Sequence, residues 1–272
     1  MKLSPQDRAT LEVAVRLLEN PGLAARLANI AGVPVEKLFE ALPERLSSDI
    51  QNAVRLALRK ALEVAVYRID TVPRRETPDA LFKVMTACTG AAGGSLGLPA
   101  LAVELPVTTT IMLRSIAEIA RSEGEDLGDP EAKLACLEVF ALGGRSSRDD
   151  AVETGYYGVR AMLAKAVSEA AKYIAERGLA EEGAPVLVRL LAAIAARFGV
   201  VVSEKVAAGA VPVIGAVGGA TVNLLFMNHF QNIAHGHFML RRLERNYGVE
   251  IVRTEYECFR DSLRERQEAS DA

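Results

Sequence analysis

The longest stretch without a charged residue runs from Val206 to Leu240, and it limits what this chain can fold into. Its 35 residues include no Lys, Arg, Asp or Glu. A stretch of this length needs a buried place in a protein core or an apolar surrounding such as a membrane. A second uncharged, glycine-rich stretch, Val84–Val103, ends at Glu104. The sequence therefore predicts two apolar segments held among charged amphipathic helices.

The rest of the chain carries helix signals and no convincing strand pattern. Apolar residues recur at every third or fourth position over Ile50–Ile69, which is typical of a helix with one buried side. Asp129-Pro130 is a typical helix start, and Gly178 is a typical helix end. We therefore predict an all-α fold. It is a multi-helix bundle with two glycine-rich apolar helical hairpins and no substantial β-sheet.

The predicted organisation has three regions. Residues 1–46 form an N-terminal helical segment, residues 47–256 form the main helical domain, and residues 257–272 form a charged C-terminal tail. The chain has 32 Lys and Arg against 35 Asp and Glu, a net charge of −3. Because nucleic-acid binding needs a basic excess, this balance gives no reason to expect a nucleic-acid partner.

The cysteines and the N-terminus indicate a cytoplasmic location. Cys88, Cys136 and Cys258 are widely spaced and form no CxxC motif, so we expect reduced thiols. Charged residues precede any long apolar run at the N-terminus, which is not typical of a signal peptide.

Glu104 lies between two prolines, Pro99 within the first apolar stretch and Pro106 just after it. We expect Pro99 and Pro106 to break the apolar run, with a second helix following to Arg121. Glu104 then has two alternatives. It is an exposed turn residue, or it is buried with a partner such as an arginine or with a raised pKa.

The sequence GGSLG at residues 93–97 matches the G-x-S-x-G motif of serine hydrolases. A nucleophile elbow needs a strand before the serine, whereas the residues before Ser95 have a helical pattern. Glycines four positions apart in this segment favour close helix packing instead. The segment also lacks the Lys-Ser/Thr of a P-loop, so we predict no nucleotide cofactor.

Three histidines, His229, His235 and His237, lie near the end of the second stretch. At 100° per residue they point in different directions, so one helix cannot bring them to one metal ion. We therefore predict no metal site. The same geometry predicts a polar stripe, either solvent-exposed or a buried hydrogen-bonded network, of Asn228, Gln231, Asn232 and His235. The opposite, mostly apolar face is formed by Phe226, Phe230, Ile233, His237 and Leu240.

Two blocks of the sequence resemble the EcsC family of bacterial proteins. Residues 90–144 read GAAGGSLGLPALAVELPVTTTIMLRSIAEIARSEGEDLGDPEAKLACLEVFALGG. Residues 197–248 read RFGVVVSEKVAAGAVPVIGAVGGATVNLLFMNHFQNIAHGHFMLRRLERNYG. The resemblance covers Ala53 to Tyr256 and implies an α-helical domain associated with bacterial membranes or with operons for membrane proteins. The founding member lies beside genes for an ABC transporter. The resemblance implies no catalytic residue, because the family has no agreed activity.

The residues and the resemblance together favour a non-enzymatic EcsC-like protein on the cytoplasmic face of the inner membrane. It would attach through Val84–Leu113 and Val206–Met227 and act on a lipid or on a membrane protein such as a transporter. Two alternatives stay open. One is a serine hydrolase or peptidase that uses Ser95, and the other is a soluble helical interaction module with its glycine-rich hairpins buried.

Overall fold

The computed structural model describes residues 2–19, 22–31, 34, 46–69, 82, 101–144, 155–179, 184–210 and 219–271. Within these ranges every regular element is an α-helix, so the all-α prediction is confirmed. The nine described helices are α1 (Pro5–Leu18), α2 (Leu23–Ala31), α3 (Leu46–Tyr67), α4 (Leu101–Ser122), α5 (Pro130–Leu142), α6 (Tyr156–Arg177), α7 (Pro185–Ala210), α8 (Gly219–Tyr247) and α9 (Val249–Asp271).

Helix boundaries follow the capping signals of the sequence. The Asp129 carboxylate accepts a hydrogen bond from the Glu131 N–H (3.1 Å) at the start of α5, where Pro130 takes the first helical position. Gly178 follows α6 with φ +64°, and Gly248 follows α8 with φ +90°. Both values lie in the left-handed region that favours glycine. The predicted start and the predicted end are therefore confirmed.

The predicted break at Pro106 is wrong. α4 begins at Leu101 and runs through Pro106 to Ser122. Pro106 is the sixth residue of the helix, so it removes only one backbone hydrogen bond, to the Ala102 carbonyl. The first four N–H groups of any helix lack such a bond anyway. A proline so close to the start therefore costs less than one in the middle of a helix.

α8 is the central helix of the described structure, and it packs against α1, α2, α4, α5, α7 and α9. α3 and α4 share the largest interface. Their C-terminal ends lie together, because the Arg121 guanidinium donates to the Ile69 carbonyl. One apolar core is continuous through all the described helices, from Leu11 in α1 to Tyr256 in α9.

The Val206–Leu240 stretch is shared between the end of α7 and most of α8. Residues 211–218 and the earlier segment 83–100 lie outside the described residues. The two predicted glycine-rich hairpins therefore stay predictions. The boundaries predicted at residues 46 and 256 also stay predictions, although α9 continues as a helix to Asp271.

Candidate functional site

A buried ion pair lies at the end of the bundle where α4 begins, α7 ends and α8 begins. Lys205 Nζ lies 2.7 Å from Glu104 Oε1, and the Asn223 side-chain amide donates to the same oxygen (3.0 Å). Lys205 Nζ also lies 5.0 Å from the centre of the Phe226 ring, within the range of a cation–π contact. Burial lowers the pKa of Lys205, and the Glu104 carboxylate opposes this shift. We refer to these four residues as the lysine cluster.

The same turn of α4 presents apolar side chains to solvent. Val103 is 71% exposed and Val107 is 47% exposed, and Ala102 beside them is exposed as well. Residues four positions apart share one helix face, so the two valines form a continuous strip. We refer to Ala102, Val103 and Val107 as the α4 strip.

Glu104 lies next to the α4 strip, but its charge is directed inward to Lys205. Of the two alternatives for Glu104, the structure shows the mostly buried one with a cationic partner, and the partner is a lysine. The surface beside it is left apolar.

Glu204 precedes Lys205 and faces a different helix. Its Oε2 accepts a hydrogen bond from the Ala24 N–H (3.2 Å), so the side chain caps the start of α2. Burial raises the pKa of Glu204 to about 7, and the hydrogen bond from Ala24 opposes the shift. The C-terminal part of α7 thus carries a buried carboxyl and a buried cation at consecutive positions, and the two side chains face different helices.

A second buried polar cluster joins α6 to α8. Tyr156 Oη and His237 Nδ1 lie 2.8 Å apart, and Arg160 donates to Tyr156 Oη (3.2 Å) and to Glu244 (2.7 Å). Because a guanidinium only donates, the Tyr156 hydroxyl is free to donate to His237 Nδ1. Burial lowers the pKa of His237 well below its usual value, and Arg160 and Arg241 act in the same direction. The imidazole is therefore neutral.

Glu138 of α5 belongs to the same cluster. Burial raises its pKa to about 7, although the charges of Arg160 and Arg241 oppose the shift. These two guanidinium groups pair with other carboxylates. Arg160 binds Glu244, and Arg241 binds both oxygens of Glu125 at 2.9 and 3.1 Å. Glu138 is thus a buried carboxyl that changes its charge near neutral pH.

Shifted pKa values often mark functional sites, but this cluster activates no nucleophile. Burial raises the pKa of Tyr156, and it raises the pKa of the Cys136 thiol to about 12. Among the residues that the structure describes, no group of three His, Cys, Asp or Glu side chains could hold a metal ion. The hydrogen bonds of the cluster join α6 to α8.

The family of the chain follows from comparison with known protein families. The sequence model of the EcsC protein family matches residues 7–243. The chain belongs to the EcsC family. No curated protein and no solved structure matches the chain. The matched range begins in α1 and ends within α8, so it includes the lysine cluster, the α4 strip and His237. The resemblance seen in the two sequence blocks is confirmed.

The predicted polar stripe of α8 is divided in this EcsC protein. Gln231 is buried, and its amide donates to Ser115 Oγ of α4 (2.8 Å). Asn228, Asn232 and His235 are half-buried. Neither of the two alternatives describes the whole stripe. The opposite face is confirmed as core, because its members are all buried: Phe226, Phe230, Ile233, His237 and Leu240.

The histidines of α8 bind to different helices, as their predicted directions require. His229 Nε2 lies 2.8 Å from the Gly143 carbonyl, and Arg197 donates to the carbonyls of Ala141 (3.0 Å) and Gly144 (2.5 Å). A carbonyl only accepts, so Nε2 of His229 carries a hydrogen. These donors satisfy the free carbonyls at the C-terminal end of α5. His237, in contrast, binds Tyr156 of α6.

Ser95 lies outside the described residues, so the hydrolase alternative stays a prediction. The sequence analysis missed the buried roles of Lys205 and Glu138. A signal for both exists in the sequence. Lys205 is the last charge before the longest uncharged stretch, and Glu138 is the only charge between Leu134 and Gly144. A lone charge within a helix of apolar pattern is expected to be buried and paired, or to have a shifted pKa.

Proposed function

We propose that this EcsC protein attaches peripherally to the cytoplasmic face of the inner membrane and acts there on a lipid or on a membrane protein such as a transporter. The observation that carries the proposal is the α4 strip, whose apolar side chains project to solvent beside an inward-directed charge. Single exposed apolar residues are common on soluble proteins. This strip, however, directly follows a sequence without any charge from Val84 onward, which extends the apolar character.

The length and hydropathy of α7 favour contact with a membrane, whereas its packing argues against a membrane span. Pro185–Ala208 is long and apolar enough to cross a bilayer. Its mean hydropathy is 2.0 over 18 residues, of which 33% are buried. Core helices of soluble proteins can have the same length and hydropathy. α7 packs against α2, α3, α5, α6 and α8, and its Arg189 pairs with Glu169 of α6 (3.2 Å). A helix with this packing and a paired arginine fits attachment to the surface better than insertion across it.

The strip alone is a weak anchor. Moving two partly exposed valines out of water contributes roughly 2–3 kcal/mol. This is less than a single acyl chain contributes, and one acyl chain gives only marginal, reversible attachment. Stable attachment therefore needs a second contribution, from the apolar segment before α4 or from electrostatic attraction.

The cytoplasmic location is part of the proposal, and the described thiols support it. Cys136 is buried in α5, Cys258 is exposed on α9, and both are free. Free cysteines are typical of proteins in a reducing compartment.

Fractionation of cells that express the full chain tests the proposal. We expect the protein to sediment with membranes and to be released by a sodium carbonate wash. Replacing Val103 and Val107 together by serine should move most of it to the soluble fraction. The matched control replaces Val13 and Val249, two valines of similar exposure on α1 and α9, and should leave the distribution unchanged. Recovery of the unmodified chain only in the soluble fraction would overturn the proposal, and resistance to carbonate would indicate a span.

A further inference from the structure

The outer side of α3 combines cations with exposed apolar side chains. Arg55, Arg59 and Lys60 are exposed. On the same side of the helix, Leu56 is 50% exposed and Tyr67 is 58% exposed. At 100° per residue these five side chains lie within about 140° of the helix circumference. We refer to them as the α3 patch.

The cations of the α3 patch are poorly neutralised. Lys60 pairs with Glu63 (2.6 Å), and Asp49 lies in the first turn of the helix. Arg55 and Arg59 form no ion pair within the part of the chain that the structure describes. The neighbouring helix α4 adds Arg114, which is exposed and likewise has no ion pair there.

Two exposed arginines on other helices have acidic partners. On α1, Arg16 pairs with Glu12 (2.6 Å), and on α9, Arg253 pairs with Glu257 (2.9 Å). In such i, i+4 pairs the charge of the arginine is offset by its partner. Other exposed arginines of the described chain, Arg8 on α1 and Arg177 on α6, also have no ion pair there, so what distinguishes the α3 patch is that exposed Leu56 and Tyr67 lie beside its arginines.

Exposed apolar groups are concentrated on α3 and α4. Four of the eight most exposed large apolar side chains in the described residues belong to α3 and α4: Leu56, Tyr67, Val103 and Val107. α3 and α4 pack against each other, so the α3 patch and the α4 strip lie on neighbouring helices. Unpaired arginines with a tyrosine and aliphatic side chains are the groups that bind at the headgroup level of a bilayer.

We infer that the α3 patch docks on a bilayer surface rich in anionic phospholipids, with Arg55 and Arg59 binding lipid phosphates and Leu56 and Tyr67 entering the headgroup region. This inference rests on the proposed membrane attachment and names the chemistry of the surface. A guanidinium binds a phosphate through two parallel hydrogen bonds, and it is attracted by the negative potential of the cytoplasmic leaflet. The patch supplies the electrostatic contribution that the α4 strip lacks.

The test is sedimentation of the purified full chain with vesicles. One set contains phosphatidylcholine alone, and the other contains phosphatidylcholine with phosphatidylglycerol. We expect stronger binding to the anionic vesicles, and we expect salt to weaken it. The double variant Arg55→Gln/Arg59→Gln should lose roughly 25-fold in binding to anionic vesicles, about five-fold for each cation. Its binding to phosphatidylcholine should stay unchanged.

Two controls separate this inference from the proposed attachment. The variant Arg16→Gln/Arg253→Gln removes two exposed but paired arginines, and it should bind anionic vesicles as the unmodified chain does. The variant Val103→Ser/Val107→Ser should weaken binding to both kinds of vesicle. Circular dichroism of each variant checks that the helices are intact.

The outcomes that contradict the two proposals differ. Equal binding to both vesicles, with no effect of the arginine substitutions, overturns the α3 inference and leaves membrane attachment standing. Binding of a DNA duplex through Arg55 and Arg59 without binding to vesicles overturns the α3 inference as well. No binding to either vesicle, together with a soluble protein in cells, overturns both.

Discussion

At the scale of single residues, the described structure is most constrained by charges that it buries. The interior disfavours ionised groups, so each buried charge has a close partner or a shifted pKa. Lys205 has a close partner, Glu104, whereas Glu138 has a raised pKa. Replacing Lys205 should therefore destabilise the protein, whereas replacing Glu138 should stabilise it at about pH 8.

Glu138→Gln should remove a pH dependence of stability. The carboxyl has a pKa of about 7 in the folded protein against an ordinary value of 4.5. Its raised pKa favours folding most below pH 4.5, and this contribution is lost as the pH rises to 7. At about pH 8 the variant should be more stable than the unmodified chain by up to about 3 kcal/mol, and near pH 4.5 the two should be equal.

Urea unfolding followed by far-ultraviolet circular dichroism measures this pH dependence. The matched control is Glu131→Gln, because Glu131 is exposed on the same helix. It should leave the pH dependence between 4.5 and 7 unchanged. If Glu138→Gln has the same pH dependence as the unmodified chain, Glu138 does not change its charge in the interior.

Lys205→Met should destabilise the protein strongly. It leaves the mostly buried Glu104 carboxylate without its cation, and breaking a buried pair in this way costs about 3–5 kcal/mol. The double variant Lys205→Met/Glu104→Leu removes both charges and should recover most of the loss. Lys60→Met is the control, since it breaks the exposed pair with Glu63 and should cost less than about 1 kcal/mol. Equal losses of unfolding free energy in the single and the double variant would contradict this.

At the scale of helices, glycines decide how closely two of them approach. A Cβ at Gly236 of α8 would lie 2.7 Å from Leu18 Cγ and 3.1 Å from the Ala14 carbonyl oxygen of α1. Gly199 lies within α7, and a Cβ there would have no neighbour within 4 Å. Both positions are helical, so alanine gains about 1 kcal/mol of helix propensity at each of them.

The two glycines should therefore respond in opposite ways to alanine. We expect Gly199→Ala to stabilise the protein by up to about 1 kcal/mol. Gly236→Ala should destabilise it by about 1–3 kcal/mol, because α1 must shift away from α8. Thermal unfolding of both variants measures the difference. If Gly236→Ala also stabilises the protein, then α1 is not held closely against α8.

The helices could be predicted from the sequence because their signals are local. The Asp129 cap and the Gly178 stop depend on a few adjacent residues. The pairing of Glu104 with Lys205 joins residues 101 positions apart, and no local pattern specifies it. Pro106 was misjudged because its cost depends on its distance from the start of the helix, and that start was not known. Where an interaction depends on the packing of distant helices, the sequence alone predicts a need for a partner and not which partner is used.

At the scale of the whole molecule, α1 is tied to the C-terminal helices. The Tyr247 hydroxyl donates to Asp7 (2.6 Å), and the Tyr256 hydroxyl donates to Glu19 (2.6 Å). Leu11 is fully buried in the core that continues through the described helices. The first and last parts of the chain thus stabilise each other, and we expect them to unfold together.

Leu11→Ala in α1 and Leu163→Ala in α6 should both lower the midpoint of one common unfolding transition. Each substitution leaves a cavity in the same core, so each should cost about 2–5 kcal/mol. The chain has no Trp, so the fluorescence of its tyrosines reports on tertiary packing, with Tyr156, Tyr157 and Tyr256 in ring contact, while circular dichroism reports on the helices. The two signals should change together in both variants. If Leu11→Ala instead gives an early loss of helix signal with unchanged tyrosine fluorescence, then α1 unfolds separately and is an appendage to the rest of the bundle.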